Sequence, residues 1–163
     1  MGLEFAKILA DNESMVFSLA LRFLRDREGA EELAQDVFLQ CYRHLSRIES
    51  PAHATWWLRR ATCHRSIDEI RKRKLRPHIG LDDIAEPSDK AAPEDPLLRD
   101  RLRKLVGMLP EKARAVVLLR YQEDMDPSEI SELLDMPVST VKSHLHRSLA
   151  LLRGKLQKQE VCS

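Results

Sequence analysis

Apolar residues recur at intervals of three and four along much of the 163-residue chain. This spacing places side chains on one face of an α-helix. Two such stripes lie in the first 45 residues, on either side of the polar segment 26–29, and predict two helices that pack together. The stripes consist of Leu9, Val16, Leu19, Ala20, Phe23 and Leu24, and of Leu33, Val37, Phe38, Cys41, Tyr42 and Leu45.

A third helix is predicted after a loop. Segment 46–53 breaks the apolar spacing and contains Pro51, so we expect the helix to begin near Ala54. Trp56 and Trp57 diverge by roughly 100° on a helix, so one can anchor the core while the other lies near the surface. Packing of both at a helix junction is the alternative. The expected inner residues are Trp57, Leu58, Ala61, Ile67 and Ile70.

Two short helices joined by a tight turn are predicted near the C-terminus. Asp126 is a suitable N-cap, Pro127 fits the first helical position, and Glu129 completes a capping box. A second helix begins at Pro137 after the break at 135–136. Its expected inner residues are Val141, Leu145, Leu149, Leu152 and Leu156.

The other side of this second helix is polar and basic. No acidic residue occurs between positions 138 and 158. Such a face in the second helix of a helix-turn-helix reads bases in the major groove of DNA. An amphipathic hairpin with a solvated basic face is the alternative. The candidate DNA-binding residues are Thr140, Lys142, Ser143, His144, His146 and Arg147.

Charge is strongly segregated although the net charge is only +1. Segment 53–76 holds eight basic residues against two acidic ones, whereas segment 77–100 is acidic and contains four of the eight prolines. The acidic segment predicts a flexible linker, since its composition favours an extended connection. The expected fold is therefore all-α, with two small helical domains, 1–76 and 97–163, joined by residues 77–96.

Composition excludes several classes of protein. No apolar run approaches the length of a membrane span, and the N-terminus lacks the pattern of a signal peptide, so we expect a cytoplasmic protein without membrane insertion. Cys41, Cys63 and Cys162 are odd in number and widely spaced. This argues against a disulfide framework or a zinc site, and Cys162 is expected to be free. We expect no metal and no cofactor.

These features together resemble the extracytoplasmic-function (ECF) group of bacterial RNA polymerase sigma factors. The second conserved region of that family resembles DREGAEELAQDVFLQCYRHL and SPAHATWWLRRATCHRSIDEIRKRK, and its fourth region resembles LPEKARAVVLLRYQEDMDPSEISELLDMPVSTVKSHLHRSLALLR. The resemblance implies a first domain that binds the polymerase clamp and the minus-10 promoter element. It implies a second domain that binds the minus-35 element, and an anti-sigma protein as a partner.

The resemblance also implies roles for individual residues. Three positions depart from the common pattern, namely His64, Ser139 and His144, so the promoter sequence cannot be inherited by analogy. The implied polymerase-binding residues are Glu31, Glu32, Gln35 and Asp36, and the implied minus-10 residues are Ser50, Pro51, Ala52, His53, Trp57, Arg60, His64, Asp68 and Arg71.

Two other functions are compatible with parts of the sequence. A stand-alone helix-turn-helix regulator would use the N-terminal half for dimerisation or sensing. An enzyme acting on nucleic acid would need a phosphate-binding glycine loop or a metal site, and the sequence contains neither pattern. We therefore expect a non-enzymatic initiation factor, with no catalytic residue and no small-molecule substrate, that binds core polymerase and promoter DNA and opens the strands.

Overall fold

The computed structural model describes residues 4–75 and 95–161, with the side chains of 159–161 excepted. The described residues are helical and contain no strand, which confirms the all-α prediction. Most of the predicted linker, and Cys162, lie outside the described residues. The elements are α1 Phe5–Leu24, α2 Arg27–Arg43, a 3₁₀ turn Leu45–Arg47, α3 Pro51–Lys74, α4 Pro96–Gly107, α5 Glu111–Tyr121, α6 Pro127–Leu134 and α7 Val138–Val161.

Helices α1, α2 and α3 form an N-terminal bundle in which α1 contacts both others. The two predicted apolar stripes meet here: Val16, Leu19 and Phe23 are fully buried against Val37 and other residues of the core. The register of α1 differs slightly from the prediction. Ile8 is buried whereas Leu9 is half-buried, and the buried Asn12 continues the face that begins at Ile8.

The predicted loop at 46–53 was wrong in its second half. Helix α3 begins at Pro51, and Ser50 is its N-cap, accepting a hydrogen bond from the backbone N–H of His53 at 3.0 Å. A serine N-cap followed by proline is as good a helix start as Asp126–Pro127. The sequence interpretation took Pro51 as a helix breaker, whereas here it occupies the first helical position.

Two other positions differ from the predicted helix faces. Tyr42 is 61% exposed instead of lying in the core, and its ring meets the edge of Phe5 at a centroid distance of 5.2 Å. The inner face of α3 also includes the fully buried Thr62 and Ser66. Hydropathy alone does not identify such positions. The buried Thr62 hydroxyl has a partner, since it donates a hydrogen bond to the Leu58 carbonyl at 2.6 Å.

Helices α4 to α7 form a C-terminal bundle, with α7 packed against α4, α5 and α6. The capping box predicted at α6 is confirmed. Asp126 accepts from the N–H of Glu129 at 2.8 Å, and the Glu129 side chain accepts from the N–H of Asp126 at 3.3 Å. Asp135 ends α6 in the left-handed conformation, with φ of 53°, which turns the chain into α7.

The two bundles pack against each other, and one apolar core runs through both. Leu21 is 3% exposed on the side of α1 that the predicted stripe left outside. Since α1 also contacts α4 and α5, the C-terminal bundle covers this additional face. Arg25 lies across Gly107, whose missing side chain leaves room for it, and donates to the Arg103 carbonyl at 3.4 Å.

Candidate nucleic-acid interface

The predicted DNA-binding face of α7 lies largely open to solvent. Lys142, Ser143, His146 and Arg147 are exposed, and Thr140 is half-buried at the start of the helix. The opposite side faces the core through Val141 and Leu152, as predicted, and also through Ser148. Four of the six predicted residues therefore lie on the outer side of α7, and the half-buried Thr140 and His144 lie at its flank.

Of the two predicted DNA-binding histidines, His144 is the more enclosed, since it is half-buried whereas His146 is exposed. Its pKa is lowered by burial first, and then by the positive charges of Arg147 and Lys112. A neutral imidazole can both donate and accept a hydrogen bond, whereas an imidazolium can only donate. His144 thus favours its neutral form on an otherwise cationic surface.

A short turn fixes the angle at which α7 leaves α6. The Ser131 hydroxyl donates to the carbonyl of Met136 at 2.5 Å, and the N–H of Met136 donates to the Ser131 carbonyl at 3.2 Å. Ile130 and Leu133 are fully buried beneath the turn. Helix α7 is held in place by its packing against α4, α5 and α6 and by these two hydrogen bonds.

Three of the predicted minus-10 residues contact the C-terminal bundle. Arg60 donates to the Leu133 carbonyl at 2.7 Å and pairs with Asp135. The His64 Nε2 atom lies 3.3 Å from the same carbonyl. Arg71 Nε lies 3.2 Å from Glu111 Oε1. These side chains thus meet the end of α6 and the start of α5.

The remaining minus-10 residues lie at the start and along the outside of α3. Pro51, Ala52 and Asp68 are exposed, and His53 is half-buried with its Nδ1 accepting the N–H of Glu49 at 3.1 Å. The Ser50 hydroxyl oxygen caps the helix by accepting the N–H of His53. The predicted segment Ser50–His53 therefore forms the N-cap and the first turn of α3.

Both tryptophans are half-buried, so neither is a fully enclosed core residue. Trp57 meets the edge of the His44 ring at a centroid distance of 6.0 Å. Trp56 lies beside His53, with the Arg60 guanidinium 5.6 Å from its ring centroid. The expected core role of Trp57 is therefore only partly met, because Leu58 takes the fully buried position next to it.

The predicted polymerase-binding residues share the outer face of α2. Glu31, Glu32, Gln35 and Asp36 are all exposed. Asp36 lies 3.4 Å from Arg65 of α3, with 58% of its side chain still open to solvent. Glu31 and Glu32 lie near the N-terminus of α2, where negative charge interacts favourably with the helix dipole. The face remains exposed and accessible to a partner.

Sequence reasoning missed the acidic residues that bind α3. Arg59 Nε lies 3.0 Å from Glu123 Oε1, and Glu111 accepts from Lys74 at 2.7 Å as well as from Arg71. The hydrogen bond from Lys74 is the main reason that the pKa of Glu111 falls to about 2. No periodicity signals such pairs, since each joins residues far apart in the sequence.

The described residues contain no group of three or more His, Cys, Asp or Glu side chains arranged to hold a metal ion. Cys41 and Cys63 are buried free thiols. Burial raises the pKa of both, and the charge of Glu123 raises that of Cys63 further. In the same described part, no helix is long and apolar enough to cross a membrane.

Each of the two bundles matches a known protein family model. The family model described as Sigma-70 region 2 matches residues 8–76, and the model described as Sigma-70, region 4 matches residues 99–152. An ECF RNA polymerase sigma factor of Bacillus subtilis, SigW, is 30% identical over 94% of this chain and 89% of its own length. The RNA polymerase sigma-E factor of Streptomyces coelicolor is 31% identical over 98% of this chain and 89% of its own length.

A solved structure shares the whole fold. The sigma factor RpoE from Bartonella quintana, in complex with the anti-sigma factor NepR, matches with a TM-score of 0.77. The match covers 94% of this chain and 96% of that chain at 17% identity. The protein thus falls in the class of helical, DNA-binding transcription initiation factors. Within that class, the chain belongs to the ECF group of RNA polymerase sigma factors, and it directs transcription initiation by RNA polymerase.

Proposed function

We propose that α7 reads the minus-35 promoter element and that the start and the polar face of α3 bind the minus-10 element. The observation that carries the first assignment is the exposed polar face of α7, which presents cations along a stretch, 138–158, that contains no acidic residue. Lys142 and Arg147 supply donors to phosphates or guanine edges, and Thr140, Ser143, His144 and His146 supply further polar contacts.

The proposed minus-10 surface is aromatic and cationic, and it lies at the start of α3. His53, Trp56 and Arg60 lie side by side there, and an unstacked base can stack on such rings. Extruding a base costs a few kcal/mol, which stacking and phosphate contacts offset. Ser50, Pro51, Ala52, Trp57, His64, Asp68 and Arg71 complete the proposed minus-10 set.

The acidic face of α2 is proposed to bind the polymerase clamp through Glu31, Glu32, Gln35 and Asp36. The exposure of all four residues supports this role. We expect the protein to act in the cytoplasm, where polymerase and promoters are, and to have no catalytic activity of its own. An anti-sigma protein is a proposed partner, because the similar RpoE was solved with one. The proposed domains are 1–76 and 97–163, with 77–96 as the linker.

Run-off transcription over a promoter library tests this proposal. Purified chain is added to core polymerase that lacks other sigma factors, and the transcribed templates are sequenced. We expect transcripts from a subset of templates that share two spaced elements. Stable, sequence-specific duplex binding by the isolated chain, with no stimulation of core polymerase, would instead indicate a stand-alone regulator.

A further inference from the structure

A buried asparagine interrupts the apolar face of α1 that packs against α3. Asn12 is only 5% exposed, and its neighbours on this face, Ile8 and Val16, are apolar and buried. Asparagine has a lower helix propensity than leucine, and burial of its amide is unfavourable unless the amide is hydrogen-bonded. An apolar side chain would stabilise this position more. Core packing alone therefore does not explain the presence of an amide here.

Both polar atoms of the Asn12 amide have partners. Its Nδ2 donates to the Ile8 carbonyl of the same helix at 2.8 Å, and its Oδ1 accepts from the Thr55 hydroxyl of α3, also at 2.8 Å. The bond within α1 orients the amide, so that Oδ1 faces α3. The Thr55 hydroxyl also lies 3.2 Å from the carbonyl oxygen of Pro51. One hydroxyl thus joins α1 to the first turn of α3.

The packing beside this hydrogen bond is incomplete. A crevice of about 60 Å³ lies between the starts of α1 and α3, and Asn12, Pro51 and Thr55 are among the residues that line it. Apolar contacts are not directional and tolerate a small shift of one helix along another, whereas a hydrogen bond restricts both distance and angle. A buried asparagine specifies the register of helices in coiled coils in this way, although it lowers their stability.

Thr55 lies between two residues of the proposed minus-10 surface. His53 precedes it by two positions in the first turn of α3, and Trp56 follows it directly. The ring centroids of His53 and Trp56 are 6.4 Å apart. Because a helix advances about 1.5 Å per residue, a slide of α3 by a fraction of a turn would displace both rings together. Recognition of an unstacked base requires closer placement than such a slide would allow.

We propose that Asn12 and Thr55 are positioning residues for strand opening. Their hydrogen bond fixes the register of α3 on α1, and the first turns of α3 then present His53 and Trp56 to the unstacked base. Neither Asn12 nor Thr55 contacts DNA in this arrangement. The inference rests on the proposed minus-10 role of α3.

The first test replaces Thr55 by valine and by serine in the full chain. Thr55→Val keeps the shape of the side chain and removes the hydroxyl, whereas Thr55→Ser keeps the hydroxyl and removes a methyl group. Opening is followed with core polymerase on a duplex promoter from the library, in which 2-aminopurine replaces a minus-10 adenine and fluoresces when it unstacks. We expect opening to slow about tenfold in Thr55→Val and to stay within about twofold of wild type in Thr55→Ser. The reverse order would indicate a packing role and overturn the inference.

Thr62 provides the matched control on the same helix. It is fully buried, and its hydroxyl donates to the Leu58 carbonyl at 2.6 Å, so this bond lies within α3. Thr62→Val should leave the rate of opening within about twofold of wild type. A defect as large as that of Thr55→Val would show that any buried hydroxyl of α3 has this effect, and it would also overturn the inference.

A double variant separates positioning from stability. Thr55→Val alone leaves the buried Asn12 oxygen without its donor, which lowers stability whatever the function of the residue. Asn12→Leu combined with Thr55→Val removes both partners and leaves neither unpaired. Its stability in urea should equal or exceed that of the wild type, while opening of the duplex should still be about tenfold slower. A double variant that opens the promoter at the wild-type rate, or one that is clearly destabilised, would overturn the positioning role.

Two further measurements separate this inference from the minus-10 role itself. A template already mismatched at the minus-10 element should recover much of the loss in the double variant, because the protein no longer has to unpair the base. Equal defects on both templates would contradict a role in opening. His53→Ala on the same duplex tests the surface that Thr55 is proposed to position. Slow opening in His53→Ala with normal opening in the double variant overturns the positioning role alone, whereas normal opening in both rejects the minus-10 role as well.

Discussion

Arg114 of α5 donates a hydrogen bond from its guanidinium to the backbone carbonyl of Phe23, in the last turn of α1. The same guanidinium donates to the Leu109 carbonyl at 2.9 Å and is almost fully buried. Burial lowers the pKa of Arg114 to about 10, which still leaves it charged at neutral pH. One cation therefore satisfies a carbonyl in the last turn of α1 and another in the turn between α4 and α5.

Replacing Arg114 by methionine should destabilise the protein by about 2–4 kcal/mol, because two buried carbonyls lose a charged donor. Arg114→Lys should recover only part of this, since one ammonium cannot reproduce the fork of a guanidinium. Urea denaturation of the full chain measures both. The exposed Lys112→Met on the same helix is the control, expected within about 0.5 kcal/mol of wild type. Equal behaviour of the 112 and 114 variants would contradict the role of Arg114.

The Glu111 carboxylate should make stability depend on pH. Its pKa falls from 4.5 to about 2 in the folded protein, mainly because Lys74 donates to it. A lowered pKa stabilises the fold above the ordinary value, and the contribution is lost as the pH falls from about 4.5 towards 2. Glu111→Gln should therefore cost about 1 kcal/mol near pH 7.

The difference between wild type and Glu111→Gln should shrink on acidification. Thermal denaturation at several pH values between 7 and 3 checks the trend, since the stabilising contribution of the Glu111 carboxylate declines only below about pH 4.5. The exposed Glu13→Gln on α1 is the control. A wild-type advantage that stays constant down to the lowest pH would exclude an ionic origin.

Reversing Asp36 to lysine should weaken binding to core polymerase by about tenfold, or 1.4 kcal/mol, if the partner surface is positive. Folding stability should change by less than about 1 kcal/mol, because the pair with Arg65 is exposed. Fluorescence anisotropy with labelled protein measures the affinity. Asp11→Lys, on the exposed side of α1, provides a matched reversal. A folded Asp36 variant with normal affinity would remove α2 from the polymerase surface.

The recognition helix can be tested by separating base contacts from phosphate contacts. Lys142→Ala or Arg147→Ala should change which upstream sequences are preferred if the side chain makes a base contact, at about 1–3 kcal/mol for a bidentate one. Loss of a phosphate contact should act uniformly across sequences. Sequencing of transcripts from a promoter library distinguishes these patterns.

Lys158→Ala is the control for this series, because it lies about 24 Å further along the same helix from Lys142. It should leave the output and preference of the library unchanged. Wild-type behaviour of both Lys142→Ala and Arg147→Ala would mean that α7 is not the reader.

Strand opening can be tested at His53, which lies beside Trp56 at the start of α3. His53→Ala should impair transcription from a duplex promoter, and a template already mismatched at the minus-10 element should recover much of the loss. The reason is that the cost of unpairing, a few kcal/mol, no longer falls on the protein. His146→Ala is the comparison and should be equally defective on both templates. An equal defect for His53→Ala on both would reject its role in opening.

Local signals in the sequence were sufficient for five of the seven α-helices in the described residues, whereas α4 and α5 were not predicted individually. The apolar spacing identified the faces of α1, α2 and α7, and the caps at Asp126 and Glu129 placed α6 correctly. These signals depend on residues within one or two turns, so they can be read without the fold. The same rule misjudged Ser50–Pro51 only because proline both breaks helices and starts them.

The tertiary structure decided which surfaces of those helices remain open. Leu21 is buried on a further face of α1, a helix that contacts α4 and α5, and the arginines of α3 meet Glu111, Glu123 and Asp135 across the bundle boundary. Ion pairs and shared cores join residues tens of positions apart, and their partners follow from packing in three dimensions. The sequence by itself therefore determined the family and most of the helices, whereas only the folded arrangement showed that the cations of α3 pair with carboxylates of the C-terminal bundle.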